Sequence, residues 1–219
     1  MGQPVLIYGK SGSGKSRSLK NFGEDEILLI NVERKMLPFR AKFKYVAETD
    51  NIGVIMQQLK KMPLKTAVID DAGYLLTNTF MRRHSQGLKG SAVYDLYNEL
   101  ADSFWGLFKF IKEQLPTDVI VYVLMHEDTN DYGAVKLKTI GKLLDDKVCV
   151  EGMVTVCLRC VTDKDGHKFR TVTDGFDITK SPEDMFPSDE IDNDLKAVDT
   201  AIREYWGLTL DNNTAMSLS

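Results

Sequence analysis

The stretch LIYGKSGSGKS, residues 6 to 16, decides the fold. Gly9, Gly14, Lys15 and Ser16 fit the pattern G-x-x-x-x-G-K-[ST], and the apolar residues Val5 to Tyr8 lead straight into it. A short apolar strand that runs into such a turn and out into a helix is the setting of a phosphate loop. Glycines at 9, 12 and 14 are expected to let the backbone turn with positive φ. Successive N–H groups of Gly9, Lys10, Ser11, Gly12, Ser13, Gly14, Lys15, Ser16 and Arg17 would then converge on phosphate oxygens. A helix over 16 to 22 would add its dipole. Lys15 is expected to reach the terminal phosphates and the Ser16 hydroxyl to ligate Mg2+, which makes ATP with Mg2+ the expected ligand.

Outward from that loop, hydrophobic period and punctuation alternate strands with helices. Strands are expected at 4 to 8, 27 to 32, 43 to 47, 66 to 69 and 119 to 125. Helices are expected at 52 to 62 and 92 to 115, with an irregular stretch between Asp71 and the second. Two further strands, 148 to 161 and 167 to 172, face each other across Asp163-Lys164-Asp165-Gly166, and a last helix is expected over 188 to 205. This order implies an α/β domain over 1 to 207, a mainly parallel sheet flanked by helices with an antiparallel hairpin added at one edge. The polar residues 208 to 219 are expected to be a disordered tail.

The chain has 219 residues, 43% of them hydrophobic, enough for a substantial core. Twenty-eight basic and thirty-two acidic residues leave a net charge of −4, so any nucleic-acid contact must rest on local patches. No apolar run approaches the ~18 residues of a membrane helix, and the loop at Gly9 leaves no room for a signal peptide ahead of it. A cytoplasmic protein is expected. Of the three cysteines, Cys157 and Cys160 form a C-x-x-C pair inside a β-branched run. Three positions apart on a strand they point to opposite faces, which opposes shared zinc ligation or a redox pair and favours two buried strand cysteines.

Three strand ends carry polar residues where the sheet should meet the nucleotide. TAVIDDAGY, residues 66 to 74, places Asp70 after an apolar run, as a carboxylate that orients magnesium and its water. ILLINVE, 27 to 33, ends in Glu33, a candidate base for the attacking water. Asp71 competes for that role. VYVLMHED, 121 to 128, sets His126 at the end of the next strand, as a sensor of the terminal phosphate or as a satisfied edge histidine.

With these residues in hand, the chain resembles the RecA-like P-loop ATPases from residue 4 to about 172. Within them it is most similar to phage-encoded members associated with single-strand annealing and recombination. The resemblance implies that Glu33, ending the strand after the loop's helix, is the catalytic base, while AAA-type ATPases would put the acid at Asp71. It implies that His126 is the sensor, and that Lys15, Glu33, Asp70, Asp71 and His126 form the catalytic set. It further implies a homo-oligomer, a ring or short filament, although the arm joining RecA protomers has no counterpart before the loop. For a phage protein the compartment would be the host cytoplasm.

Two windows free of acidic residues follow the strands that end in Asp70 and His126. Residues 72 to 94 hold Arg82, Arg83 and Lys89, and residues 132 to 144 hold Lys136, Lys138 and Lys142. RecA-like recombinases carry their two DNA-binding loops at these places, so the resemblance implies single-stranded DNA as partner. Flexible cations on a strand's phosphates suit that role. A pair of solvated loops is the alternative, and Lys136, Lys138 or Lys142 could instead reach a neighbouring subunit's nucleotide. The segment 174 to 199 holds nine acids against Lys180 and Lys196 and should repel DNA. Two other functions share a phosphate loop near the start, a nucleotide-kinase-type phosphotransferase and an ATP-switched helicase loader or regulator.

Overall fold

The computed structural model describes residues 1 to 208 apart from Ser85, Leu88 and Asp131, together with the backbone but not the side chain of Leu143. Of the tail expected over 208 to 219, Leu208 donates its N–H to the Arg203 carbonyl at 2.8 Å, and the remainder lies outside the described residues. In chain order the strands are β1 (Gln3–Gly9), β2 (Leu28–Asn31), β3 (Tyr45–Ala47), β4 (Thr66–Asp70), β5 (Ile120–Thr129), β6 (Val135–Leu137), β7 (Val156–Asp163), β8 (Gly166–Arg170) and β9 (Glu190–Asp192). The helices are α1 (Ile52–Lys61), α2 (Gly73–His84), α3 (Ser91–Gln114), α4 (Lys142–Asp145) and α5 (Leu195–Trp206).

The sheet runs β3-β2-β4-β5-β1-β7-β8-β9, with β6 paired to β5. Pairing is parallel from β3 to β7 and antiparallel at β6, β8 and β9. Because β1, β4 and β5 are covered on both faces, they read as unbroken apolar runs rather than alternating ones. Leu6, Tyr8, Ile69, Val121 and Val123 pack on one face under α1, α2 and α3; Val5, Ile7, Val68, Tyr122 and Leu124 pack on the other under α5 and the segment after the phosphate loop. In α3, the helix expected over 92 to 115, the apolar residues from Leu96 to Ile111 form the buried face. Cys157 and Cys160 enter opposite core clusters, as two positions three apart on β7 must.

Several boundaries differ from the sequence reading, each for a physical reason. The segment after the phosphate loop is a 3₁₀ helix, Ser16–Asn21, in which the Ser18 hydroxyl donates to the Lys15 carbonyl at 2.6 Å. Six residues of 3₁₀ helix carry little macrodipole, so the contribution expected from a helix dipole there is small. The stretch expected to be irregular is the helix α2. Its Thr77 and Asn78 are poor helix formers, but Thr77 and Thr79 donate to the carbonyls of Gly73 and Leu75 while Leu75 and Leu76 are buried. The strand expected from 148 begins only at Val156, after a 3₁₀ turn at Glu151–Met153. The last helix starts at Leu195 because Asp194 caps it, accepting from the N–H groups of Lys196 and Ala197. Before it, Ile191 lies in β9 opposite Phe169.

Candidate functional site

The parallel register brings the carboxyl ends of β1, β4 and β5 to one edge. Gly9 lies opposite His126 and Asn31 opposite Asp70. The chain leaves β1 into the loop from Gly9 to Ser16. Gly12 and Gly14 have φ of 78° and 104°, in the left-handed region that favours glycine. Gly9 is required for a different reason from the one expected. It has no positive φ, but a Cβ there would lie 2.5 Å from the Cys160 carbonyl and 2.6 Å from the Ser13 hydroxyl. Gly14 likewise passes close under the His167 ring and Asn193.

Lys15 is buried and folds back along the loop, its ammonium donating to the carbonyls of Gly9 and Lys10, each at 2.9 Å. Burial pulls its pKa below the ordinary lysine value, against the opposing pull of the Asp71 and Asp70 carboxylates. The Ser16 hydroxyl donates to Asp70 Oδ1 at 3.0 Å across 54 positions of sequence. Burial, and then the neighbouring Asp71 charge, push Asp70 up to about 6. A hydroxyl and a carboxylate held together beside a lysine are hard oxygen donors of the kind Mg2+ takes, with phosphate oxygens and water completing the shell. The Ser13 hydroxyl is buried within the loop and has no hydrogen-bond partner among the described residues.

A chain of polar contacts crosses the strand ends. The Lys15 ammonium lies 3.3 Å from His126 Nδ1, and since an ammonium can only donate, Nδ1 is the acceptor. His126 Nε2 then donates to Asp71 Oδ1 at 3.1 Å, while Lys35 donates to Asp71 Oδ2 at 2.7 Å. Burial would raise Asp71, but the bonds from His126 and Lys35 outweigh it and hold the carboxyl at about 2. Asp71 occupies a left-handed backbone position, φ 60°, at the junction of β4 and α2. Lys35 also stands 5.2 Å from the Tyr74 ring centre.

Glu33 is placed apart from this chain. Its carboxylate accepts from Asn78 of α2 at 2.7 Å, and it lines a separate pocket with Arg34, Asp50 and Arg82. Arg17 reaches Asn193, at 3.4 Å.

The two acid-free windows are not acid-free in space. Arg82 pairs with Asp50 at 2.7 Å, Arg83 with Glu99 at 2.5 Å and Lys136 with Asp145 at 2.7 Å. Lys89 and Lys142 are exposed. Lys138 returns to the strand ends because β6 folds back on β5, and its N–H donates to the His126 carbonyl at 2.8 Å.

Sequence reasoning passed over Lys35, His167 and Asn193. His167 Nδ1 lies 2.9 Å from the Ser13 carbonyl and 2.8 Å from the Thr162 hydroxyl, so β8 supports the phosphate loop from outside. Only the pairing of β7 with β8 brings it there; the spacing from the loop carries no such signal. Cys157 and Cys160 are buried, and burial raises both thiols, Cys160 to about 12. They are not thiolates at neutral pH.

No protein-family model matches the chain, and no curated protein matches it.

Proposed function

We propose that this chain binds ATP with Mg2+ at the loop from Gly9 to Arg17, hydrolyses it as a RecA-like ATPase, and couples that cycle to single-stranded DNA. One observation carries the nucleotide reading. The Ser16 hydroxyl meets the Asp70 carboxylate at 3.0 Å while Lys15 lies buried in the same loop. Nothing in packing alone calls for a buried lysine bonded to two loop carbonyls beside an orphaned serine hydroxyl. A triphosphate explains the lysine, because its oxygens give that ammonium stronger partners than carbonyls do.

Ser16 and Asp70 would hold Mg2+, which supplies charge neutralisation on the phosphates. Lys15 would move from the loop carbonyls to the terminal phosphate. That movement releases the Nδ1 lone pair of His126, so the histidine is the first group to register whether the terminal phosphate is present. Of the two candidate bases, the geometry favours Asp71. It is joined to Lys15 through His126, whereas Glu33 is bound to Asn78. A carboxylate held near 2 is a weak base, so Asp71 acts by orienting the attacking water through a charge-assisted hydrogen bond.

For DNA, support comes from where the windows start. One begins at α2, whose first turn adjoins Asp71, and the other brings Lys138 back to His126. A second reading is favoured by the open cleft in front of Lys10 and Ser11, which would admit an acceptor to a phosphotransferase. ATP turnover measured alone, with single-stranded DNA and with a panel of nucleoside monophosphates separates the two. Stimulation by DNA without phosphoryl transfer supports the ATPase; transfer to a monophosphate replaces it with the kinase.

A further inference from the structure

In front of the phosphate loop, on its β5 side, lies a cleft of about 400 Å³. Three lysines from separate parts of the chain line it, Lys10 of the loop, Lys35 after β2 and Lys138 after β6, together with the polar side chains of Tyr74 and Thr77 in the first two turns of α2. The acid in its lining, Glu127, is paired: both its oxygens accept from Arg159 at 2.9 and 3.0 Å, an arginine that also donates to Asp177 at 3.3 Å. Asp71, which holds Lys35, takes one N–H of that ammonium and has its other oxygen on His126. Three lysines therefore line a space whose acids are paired, Glu127 with Arg159 and Asp71 with His126 and with Lys35 itself. A concave, partly aromatic site of this volume with convergent donors suits a small ligand or one unit of a polymer.

We propose that this cleft is a second anion site, distinct from the phosphate loop, that takes a phosphate ester on the far side of the terminal phosphate of bound ATP. Lys35 and Lys138 grip the ester oxygens, with Lys10 shared between the two sites. The inference deepens the function proposed above by naming what sits opposite the nucleotide. The ester comes either from the backbone of a single strand or from a free nucleotide. In both cases Lys35 leaves Asp71 partly for the new anion, which ties occupancy of the cleft to the group that orients the water.

The test is binding at low salt of a fluorescent oligothymidylate, with thymidine monophosphate as competitor, to the full chain with and without a non-hydrolysable ATP analogue and Mg2+. Lys138 is exposed, so Lys138→Ala and Lys138→Glu should fold, and circular dichroism checks that they do. Oligonucleotide binding should weaken about tenfold in Lys138→Ala and disappear in Lys138→Glu, with the salt slope flattened by about 0.7 for the lost contact. Affinity for the ATP analogue should stay within about twofold, since the bond from Lys138 to His126 is made by its backbone N–H and both substitutions keep it. Oligonucleotide binding that monophosphate does not displace assigns the ester to a strand, and binding of monophosphate alone assigns it to a free nucleotide. Both support the site. Equal binding by wild type and both variants, or binding of neither probe by wild type, overturns it. Wild type that binds no ATP analogue overturns the ATP reading instead, while the titrations without analogue still decide the cleft.

Discussion

Two neighbouring aspartates with opposite shifts define the site at the scale of residues. Asp70 is raised to about 6 by burial and by Asp71, and Asp71 is held near 2 by His126 and Lys35. A dication bound at Asp70 and Ser16 requires the ionised carboxylate, so loading should expel a proton at pH values near and below 6. Calorimetry of Mg2+-nucleotide binding at pH 5.5 in buffers of different ionisation enthalpy should show about one proton released, falling towards zero by pH 7.5. Asp70→Asn should show none at either pH; an unchanged release in that variant would place the proton elsewhere. The same aspartate works against the fold. Its pKa is above the unfolded value, so stability of the fold falls as pH rises from about 4 through 6 and stays lower above that. Asp71 has the reverse sign, contributing stability above about 4 that is lost as pH falls through 2. For turnover, Asp71→Asn is expected to cost at least tenfold in kcat, and Glu33→Gln less, because only Asp71 joins the chain from Lys15. Phosphate-release kinetics of the two variants give the ranking, and the reverse order would return the base to Glu33.

Among the elements, α5 shows how the second layer is attached. Asp199 is buried and accepts from Tyr122 at 3.0 Å and from Arg203 at 2.7 Å, while Arg203 donates to the carbonyls of Asp118 and Lys65. Removing one partner of such a pair leaves a buried charge unmatched, so Asp199→Ala should lose about 3–5 kcal/mol in urea unfolding. A loss below about 1 kcal/mol would mean that the apolar stripe of Leu195, Val198 and Ile202 docks the helix unaided. That stripe was legible in the sequence, as were β1, β4, β5 and α3, because long periodic runs buried on one or both faces leave the strongest pattern. What stayed hidden was held by tertiary contacts. The polar run of Thr77, Asn78 and Thr79 looks unlike a helix until Glu33 is brought to Asn78. Residue spacing likewise gives no sign of Lys35 beside Asp71. The ion pairs of the two basic windows were hidden in the same way, since Asp50, Glu99 and Asp145 come to Arg82, Arg83 and Lys136 from outside or just beyond them.

At the scale of the whole molecule, the sheet order places the His126 strand β5 between the phosphate-loop strand β1 and the Asp70 strand β4. On the ATPase reading proposed above, a change at the terminal phosphate would pass through His126 to Asp71, and from there to the start of α2 and to Lys138. If this route couples ATP to DNA, Lys138→Ala should lower any stimulation of turnover by single strands and leave unstimulated turnover within about twofold. Coupled phosphate-release assays with and without oligonucleotide measure both quantities. All of this depends on the nucleotide site itself. The most direct test is release of phosphate from ATP and Mg2+ by the purified chain, wild type beside Lys15→Ala, with folding of both confirmed. The expected result is steady release by wild type and none above background by Lys15→Ala, since one substitution removes the charge that holds the terminal phosphate. Equal release by the two, or none by folded wild type with or without single-stranded DNA, would contradict the ATPase reading.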